Sequence, residues 1–85
     1  MRYTVQITQK VIKSIEGIDT RYKKKIIERI DLIEIDPRHN GSEKLSGKDN
    51  TYKTRVGKYR IVYEIYDKKV LIVIVRVDHR KQVYL

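Results

Sequence analysis

The sequence predicts an α+β domain: an N-terminal strand, a two-helix hairpin, and then a three-stranded antiparallel sheet with the helices packed on one face. Three observations predict this fold. Apolar and polar residues alternate at the start of the chain, apolar residues recur at helical spacing over residues 8–35, and three strand-like segments follow residue 51. Helices that precede a run of antiparallel strands pack on one side of the sheet and leave the other side partly open. With 85 residues, the chain 1–85 is expected to form a single domain with one modest core.

The first strand and the first helix are predicted by a change in the hydrophobic period. Residues 2–7, RYTVQI, alternate polar and apolar side chains, as a half-buried strand does. Thr8 can cap a helix, and the apolar residues after it follow helical spacing as far as Gly17. We therefore expect the strand to lead directly into a short helix that ends near Gly17.

A second helix and a long connection follow. Asp19 or Thr20 can cap the second helix, whose isoleucines form one stripe and whose charged residues lie mostly off it. Pro37 ends this helix by about Ile35, because the residue before a proline disfavours helical geometry. Residues 36–51 are rich in turn-forming residues and are predicted to be a loop. Long loops in small domains are often functional.

The C-terminal half predicts three strands, over residues 52–56, 59–66 and 70–77, where β-branched and aromatic residues dominate. Gly57 and Lys58 fit a two-residue hairpin turn with glycine in the first turn position. A short DKK turn joins the last two strands. These three segments are expected to form a continuous antiparallel sheet.

The composition limits the possible functions. The chain has 20 Lys and Arg against 11 Asp and Glu, a formal charge of +9, which favours phosphate-rich or acidic partners. It has no cysteine, so disulfides and thiolate metal sites are excluded and a cytoplasmic protein is expected. The longest apolar run, residues 70–75, is much shorter than a membrane helix, and no membrane partner is expected. Two separated histidines supply no metal-ligand spacing, so we expect no metal and no cofactor.

The predicted hairpin concentrates positive charge on one face. With Gly57 and Lys58 as the turn, Arg55 lies opposite Arg60, and Lys53 lies on the same face as both. Like charges directly opposite each other destabilise a sheet, and a bound phosphate would convert that repulsion into binding energy. Alternatively, these long side chains extend into water and have no function.

Other candidate catalytic groups lie in the central loop and near the C terminus. His79 can donate or accept a proton near neutral pH, Arg80 can hold a phosphate bidentately, and Tyr84 can stack on a base. Glu43 is a possible carboxylate base in the loop. Each of these residues could equally be an exposed or packed side chain without a catalytic role.

Two segments resemble the RelE/ParE superfamily of toxins from toxin-antitoxin pairs. LSGKDNTYKTRVGKYRIVYEI is similar to the basic strand and hairpin of that family, and VDHRKQVY is similar to its closing motif. The RelE branch implies ribosome-dependent, metal-independent cleavage of mRNA in the A site, inhibition of translation, and an antitoxin with an acidic or wrapping segment that silences the toxin. The ParE branch implies inhibition of DNA gyrase. A non-catalytic RNA-binding module is a further alternative.

The resemblance also implies a set of site residues. In RelE-type nucleases, the positions that match Arg60, Arg80 and Tyr84 are catalytic or bind substrate. Lys53 and Arg55 match two basic strand positions, although lysine is common at the position of Arg55. The remaining two candidates, similar to the base and acid of YoeB-like toxins, are Glu43 and His79.

The reaction implied by the resemblance is attack of the RNA 2′-OH on the adjacent phosphate, which DNA cannot undergo. We expect Arg55, Arg60 and Arg80 to surround the phosphate, since arginine stabilises charge and does not act as a base. The expected base is Lys53 or Glu43. His79 is the expected acid, and Tyr84 is expected to orient or stack the base. Because the sequence ends at Leu85, we expect no antitoxin contact through the C-terminal helix of some members.

Overall fold

A computed structural model describes residues 2–79, which form two helices packed on one face of a five-stranded mixed sheet. The predicted α+β class, with the helices on one side of the sheet, is confirmed. No helix within the described residues is long and apolar enough to cross a membrane. In chain order the elements are β1 (Thr4–Ile7), α1 (Gln9–Glu16), α2 (Thr20–Ile35), β2 (Glu43–Lys44), β3 (Thr51–Val56), β4 (Tyr59–Tyr66), a 3-10 turn (Asp67–Lys69) and β5 (Leu71–His79).

The sheet contains more strands than the sequence predicted. Its order is β1-β5-β4-β3-β2, with β1 parallel to β5 and every other pair antiparallel. The three predicted strands form the centre, so that part of the prediction is confirmed. The N-terminal strand joins the sheet at one edge, because the two helices carry the chain back beside β5. The loop predicted over residues 36–51 contains the other edge strand, Glu43–Lys44, which is too short to show a period.

Both helices begin at the predicted caps. The Val11 backbone N–H donates to the Thr8 hydroxyl over 3.3 Å, and the Arg21 N–H donates to the Asp19 carboxylate over 2.9 Å. Each bond satisfies one of the amides that a helix leaves unpaired at its start. Gly17 caps the end of α1 as predicted.

The core lies between the helices and the covered face of the sheet. Its fully buried side chains come from both helices and from β3, β4 and β5, and Tyr63 is the largest of them. Burial of such side chains contributes about 1.5–3 kcal/mol each relative to exposure. This core leaves the opposite face of the sheet without helical cover. The aliphatic residues with 0% exposure are Ile26, Ile33, Ile61, Ile72 and Ile74.

A buried polar network ties α2 and the following loop to β3. The Thr54 side chain is 1% exposed and His39 is 5% exposed. His39 Nδ1 lies 3.1 Å from the Asp36 carbonyl oxygen, which can only accept, so Nδ1 bears the proton. His39 Nε2 then accepts from the Thr54 hydroxyl over 3.0 Å, and that hydroxyl accepts from Arg29 over 2.6 Å. Every link in this chain therefore has a donor and an acceptor.

A second polar cluster holds the turn between β4 and β5. The Arg38 guanidinium donates twice to the Asp67 carboxylate, over 2.9 and 3.2 Å, and once to the Tyr52 hydroxyl over 3.1 Å. The Tyr3 hydroxyl donates to the same carboxylate over 2.8 Å. The hydrogen bond from Arg38 holds the pKa of the Asp67 carboxyl below its ordinary value, with the bond from Tyr3 adding to the effect. The cluster joins the residue before β1, the loop after α2, β3 and the turn before β5.

Candidate functional site

The uncovered face of the sheet has a row of charged residues across three strands. Arg55 on β3 lies opposite Arg60 on β4, which lies opposite Asp78 on β5. The predicted register of the hairpin is confirmed in all its pairs, since Val56 lies opposite Tyr59 as well. Gly57 has a φ of +58°, the conformation that the first position of this two-residue turn requires. The turn therefore places the two arginines face to face.

A second row lies two residue pairs further from the turn, beyond the pair of Thr54 and Ile61. Glu43 on β2 is opposite Lys53, which is opposite Val62, which in turn is opposite Arg76 on β5. Because residues two apart on a strand share a face, Lys53 lies on the same side of the sheet as Arg55 and the Arg60 opposite it. The two rows thus combine cations from three strands with a carboxylate at one end of each.

These rows border a hollow of about 310 Å³ on the uncovered face. Arg60 Nε is buried there and has no hydrogen-bond partner among the described residues. An unpaired buried donor is costly, so a ligand that accepts a hydrogen bond, such as a phosphate oxygen, would stabilise it. The residues that line the hollow are Leu45, Lys48, Thr51, Lys53, Arg60, Val62, Glu64, Val75 and Arg76.

Hydrogen bonds on the covered face fix the position of β3, the strand that carries Lys53 and Arg55. Thr54 lies between Lys53 and Arg55 in sequence and points into the core, where it accepts from Arg29. The same guanidinium donates to the Arg55 carbonyl oxygen over 2.9 Å. Two hydrogen bonds from one planar group restrict the backbone at Thr54 and Arg55, and with it the direction of the side chains on the uncovered face.

The predicted site residues fall into three groups. Lys53, Arg55, Arg60 and Glu43 meet on the uncovered face. His79 lies opposite Tyr59 on the covered face, with the two ring centroids 5.3 Å apart, and so does not meet those cations within the described structure. Its role as an acid stays a prediction. The last two predicted residues lie outside the described residues: Arg80 and Tyr84.

Two charged residues of β5 on this face, Arg76 and Asp78, were not predicted from the sequence. They are joined by an ion pair of 2.7 Å between Arg76 Nε and Asp78 Oδ2. Ile72 and Ile74 on the same strand face the core, so strict alternation would turn residues 76 and 78 inward as well. A register shift in the β4–β5 pairing at Val62/Tyr63 reverses this alternation. No local pattern in the sequence predicts this register shift. Within residues 2–79, no group of three or more acidic or histidine side chains could hold a metal ion.

Comparison with known proteins supports the resemblance noted in the two motifs. The model of the family described as the ParE toxin of the type II toxin-antitoxin system parDE matches residues 5–84. This chain belongs to the ParE toxin family. It is a toxin of the RelE/ParE superfamily, as the hairpin and closing motifs predicted.

Relatives of this ParE-family chain include toxins named RelE. Toxin RelG of Mycobacterium tuberculosis is 29% identical, with 99% of this chain and 98% of RelG covered. The protein of Methanocaldococcus jannaschii named toxin RelE1 is 26% identical, with 99% and 97% covered. Among solved structures, the archaeal RelE-RelB complex from Pyrococcus horikoshii has a TM-score of 0.82 and 27% identity, with 94% of this chain and 97% of that chain covered.

Proposed function

We propose that this toxin is a ribosome-dependent, metal-independent endoribonuclease that cleaves mRNA in the ribosomal A site and thereby inhibits translation. The observation that carries the proposal is the pair Arg55 and Arg60, opposed on the uncovered face with Lys53 beside them. The buried Arg60 Nε, which has no partner among the described residues, supports the same conclusion. A phosphate between these side chains would offset a repulsion that the fold otherwise has to overcome.

In the proposed reaction, the 2′-OH attacks the adjacent phosphorus, and the bond to the 5′ oxygen of the next nucleotide breaks. Arg55 and Arg60 stabilise the negative charge that develops on the phosphoryl oxygens. Arg80 and Tyr84 belong to the same proposal, as a further phosphate ligand and as the residue that orients the substrate base. Of the residues predicted from the sequence, the candidates for the proton acceptor are Lys53 and Glu43, which lie opposite each other at the β2 edge.

The proposed partners are the ribosome with its mRNA, in the cytoplasm, and a cognate antitoxin. The Pyrococcus horikoshii structure is a complex of RelE with RelB, which supports an antitoxin for this toxin. The formal charge of +9 favours a partner with an acidic or wrapping segment that covers the cationic face. Such a segment and a phosphate backbone would compete for the same arginines.

Primer extension on an mRNA that is being translated in a purified system tests the proposal. Wild-type protein is expected to cut the translated mRNA and to leave free mRNA intact, and Arg60→Gln is expected to reduce cutting at least tenfold. Lys24→Gln is the matched control, because it removes one positive charge from an exposed position on α2, away from the uncovered face. Intact mRNA with wild-type protein would refute the proposal.

A second candidate function is inhibition of DNA gyrase, which the ParE description of the matching family favours. In that case the toxin binds a protein and performs no phosphoryl chemistry. A gyrase supercoiling assay separates the two: a gyrase inhibitor blocks supercoiling and leaves translated mRNA uncut. Binding of RNA with neither effect would indicate an RNA-binding module instead.

A further inference from the structure

We infer that Asp78 is the general base of the cleavage reaction, an inference that rests on the proposed nuclease function. The closing motif at the end of β5 predicted His79 as a catalytic residue. The register instead places the carboxylate of Asp78, the residue before it, on the uncovered face with Arg60. Asp78 is thus the acidic side chain that β5 contributes to the row of Arg55 and Arg60.

Position on the sheet favours Asp78 over Glu43, the carboxylate that was predicted from the sequence. Asp78 is directly opposite Arg60 on the neighbouring strand, at a spacing of roughly 5 Å between strands. Glu43 lies two strands away from β4 and in the other row, so it is roughly 10 Å from the strand of Arg60. A base must approach the 2′-OH next to the phosphate that the arginines hold, which Asp78 can do from the adjacent strand.

Glu64 is a third carboxylate on this face, and it lines the hollow. Its side chain accepts a hydrogen bond of 2.7 Å from the Tyr66 hydroxyl. It is four residues from Arg60 along β4, which is roughly 13 Å in an extended strand. That distance exceeds the reach between a phosphate oxygen and the adjacent 2′-OH, so Glu64 is poorly placed for this role.

Arg76 orients the proposed base. The ion pair between Arg76 Nε and Asp78 Oδ2 measures 2.7 Å, and the Asp78 side chain is 26% exposed. Arg76 lines the hollow together with Arg60 and Lys53, and its ion pair places the Asp78 carboxylate next to one of the residues of that hollow. The pair engages Oδ2, and an ionised carboxylate offers its second oxygen to a substrate hydroxyl.

With Asp78 as the base, side chains of this protein supply both proton transfers of the cleavage reaction. Asp78 takes the proton of the 2′-OH as the 2′ oxygen forms a bond to phosphorus. The bond from phosphorus to the 5′ oxygen breaks, and the ammonium of Lys53 gives a proton to that leaving oxygen. The products are a 2′,3′-cyclic phosphate and a 5′-hydroxyl, and no electrons are transferred. Lys53 then acts as the acid rather than the base.

The test compares wild type, Asp78→Asn and Asp78→Glu in single-turnover cleavage of mRNA on a programmed ribosome, from pH 5 to pH 8. Asp31→Asn is the matched control, because it makes the same chemical change at an exposed position on α2. Binding is measured separately with an mRNA that has a 2′-deoxy nucleotide at the cleavage position and cannot react. Circular dichroism establishes that each variant folds.

Loss of a general base is expected to slow cleavage by ~10²–10⁴-fold. We expect this loss for Asp78→Asn, with binding of the 2′-deoxy mRNA within threefold of wild type, and no change for Asp31→Asn. Asp78→Glu keeps a carboxylate and is expected to retain at least a tenth of the wild-type rate, which also decides the question should Asp78→Asn not fold. Cleavage by Asp78→Asn within threefold of wild type overturns the inference, as does an Asp78→Glu variant that folds and is inactive. Failure of wild type to cleave at all is a different result, and it overturns the nuclease proposal together with this one.

Discussion

Replacement of Tyr63 by phenylalanine removes one oxygen from the centre of the core. The Tyr63 side chain is 0% exposed, and its hydroxyl donates to the Pro37 carbonyl oxygen over 2.6 Å. This bond joins the centre of β4 to the start of the loop after α2. The ring also stacks on Tyr52, with centroids 6.1 Å apart, and phenylalanine would preserve that contact.

The expected loss of stability at pH 7 is about 1–3 kcal/mol, because the carbonyl oxygen of Pro37 is left buried without its donor. For a domain of this size, a change of 1 kcal/mol moves the melting temperature by about 4–8 °C. The ring volume is almost unchanged, so little of the loss comes from packing.

The same hydroxyl makes stability depend on alkaline pH. Burial raises the pKa of Tyr63 to about 12. Because the pKa is higher in the folded state, this contribution is complete below the unfolded value of about 10 and declines as pH rises towards 12. At pH 11 the decline amounts to about 1.4 kcal/mol. The advantage of wild type over Tyr63→Phe should therefore shrink by that amount between pH 7 and pH 11.

Urea denaturation of wild type and Tyr63→Phe at pH 7, 9 and 11 measures both effects. Tyr66→Phe is the control for the measurement at pH 7, since the Tyr66 hydroxyl bonds to the Glu64 side chain outside the core. Equal stability of wild type and Tyr63→Phe at pH 7 would refute the hydrogen-bond argument. A difference between them that is the same at pH 7 and pH 11 would refute the argument from the raised pKa.

Three further predictions concern the hairpin and the turn before β5. Arg60→Gln removes the repulsion with Arg55 and should raise the stability of the protein by about 0.2–1 kcal/mol, while it weakens RNA binding. Thermal melting measures the first effect and fluorescence anisotropy the second. Loss of the fold with unchanged RNA binding would contradict this prediction. Gly57→Ala should lower the stability measured by urea denaturation by about 1–3 kcal/mol. The reasons are that φ at this position is +58° and that the new Cβ would lie 3.1 Å from a Tyr22 ring carbon. A variant as stable as wild type would contradict this prediction. Asp67→Asn should lower the free energy of unfolding at pH 7. The difference in that free energy from wild type should disappear as the pH falls below about 4, since the Asp67 pKa is lowered in the folded state. An equal difference at pH 7 and pH 3 would contradict this prediction.

Much of the candidate site follows from one local feature of the sequence. A two-residue turn at Gly57 and Lys58 determines every pair of the β3–β4 hairpin, so the opposition of Arg55 and Arg60 was predictable. The supporting network was not predictable, because Arg29 and Thr54 are 25 residues apart and no local pattern links them. The catalytic roles of these residues stay predictions until the cleavage assays are performed.

The sequence by itself determined the elements that depend on neighbouring residues: the caps Thr8 and Asp19, both helices, and the cationic hairpin. Capping bonds and tight turns involve residues only a few positions apart, so the chain specifies them locally. Only the tertiary structure decided that β1 pairs in parallel with β5, a contact between the two ends of the described chain. It also decided, through the register shift at Val62/Tyr63, that Asp78 and not His79 shares the face of the arginines. A shift of one residue in a strand exchanges its two faces, and that shift depends on how two strands pack together.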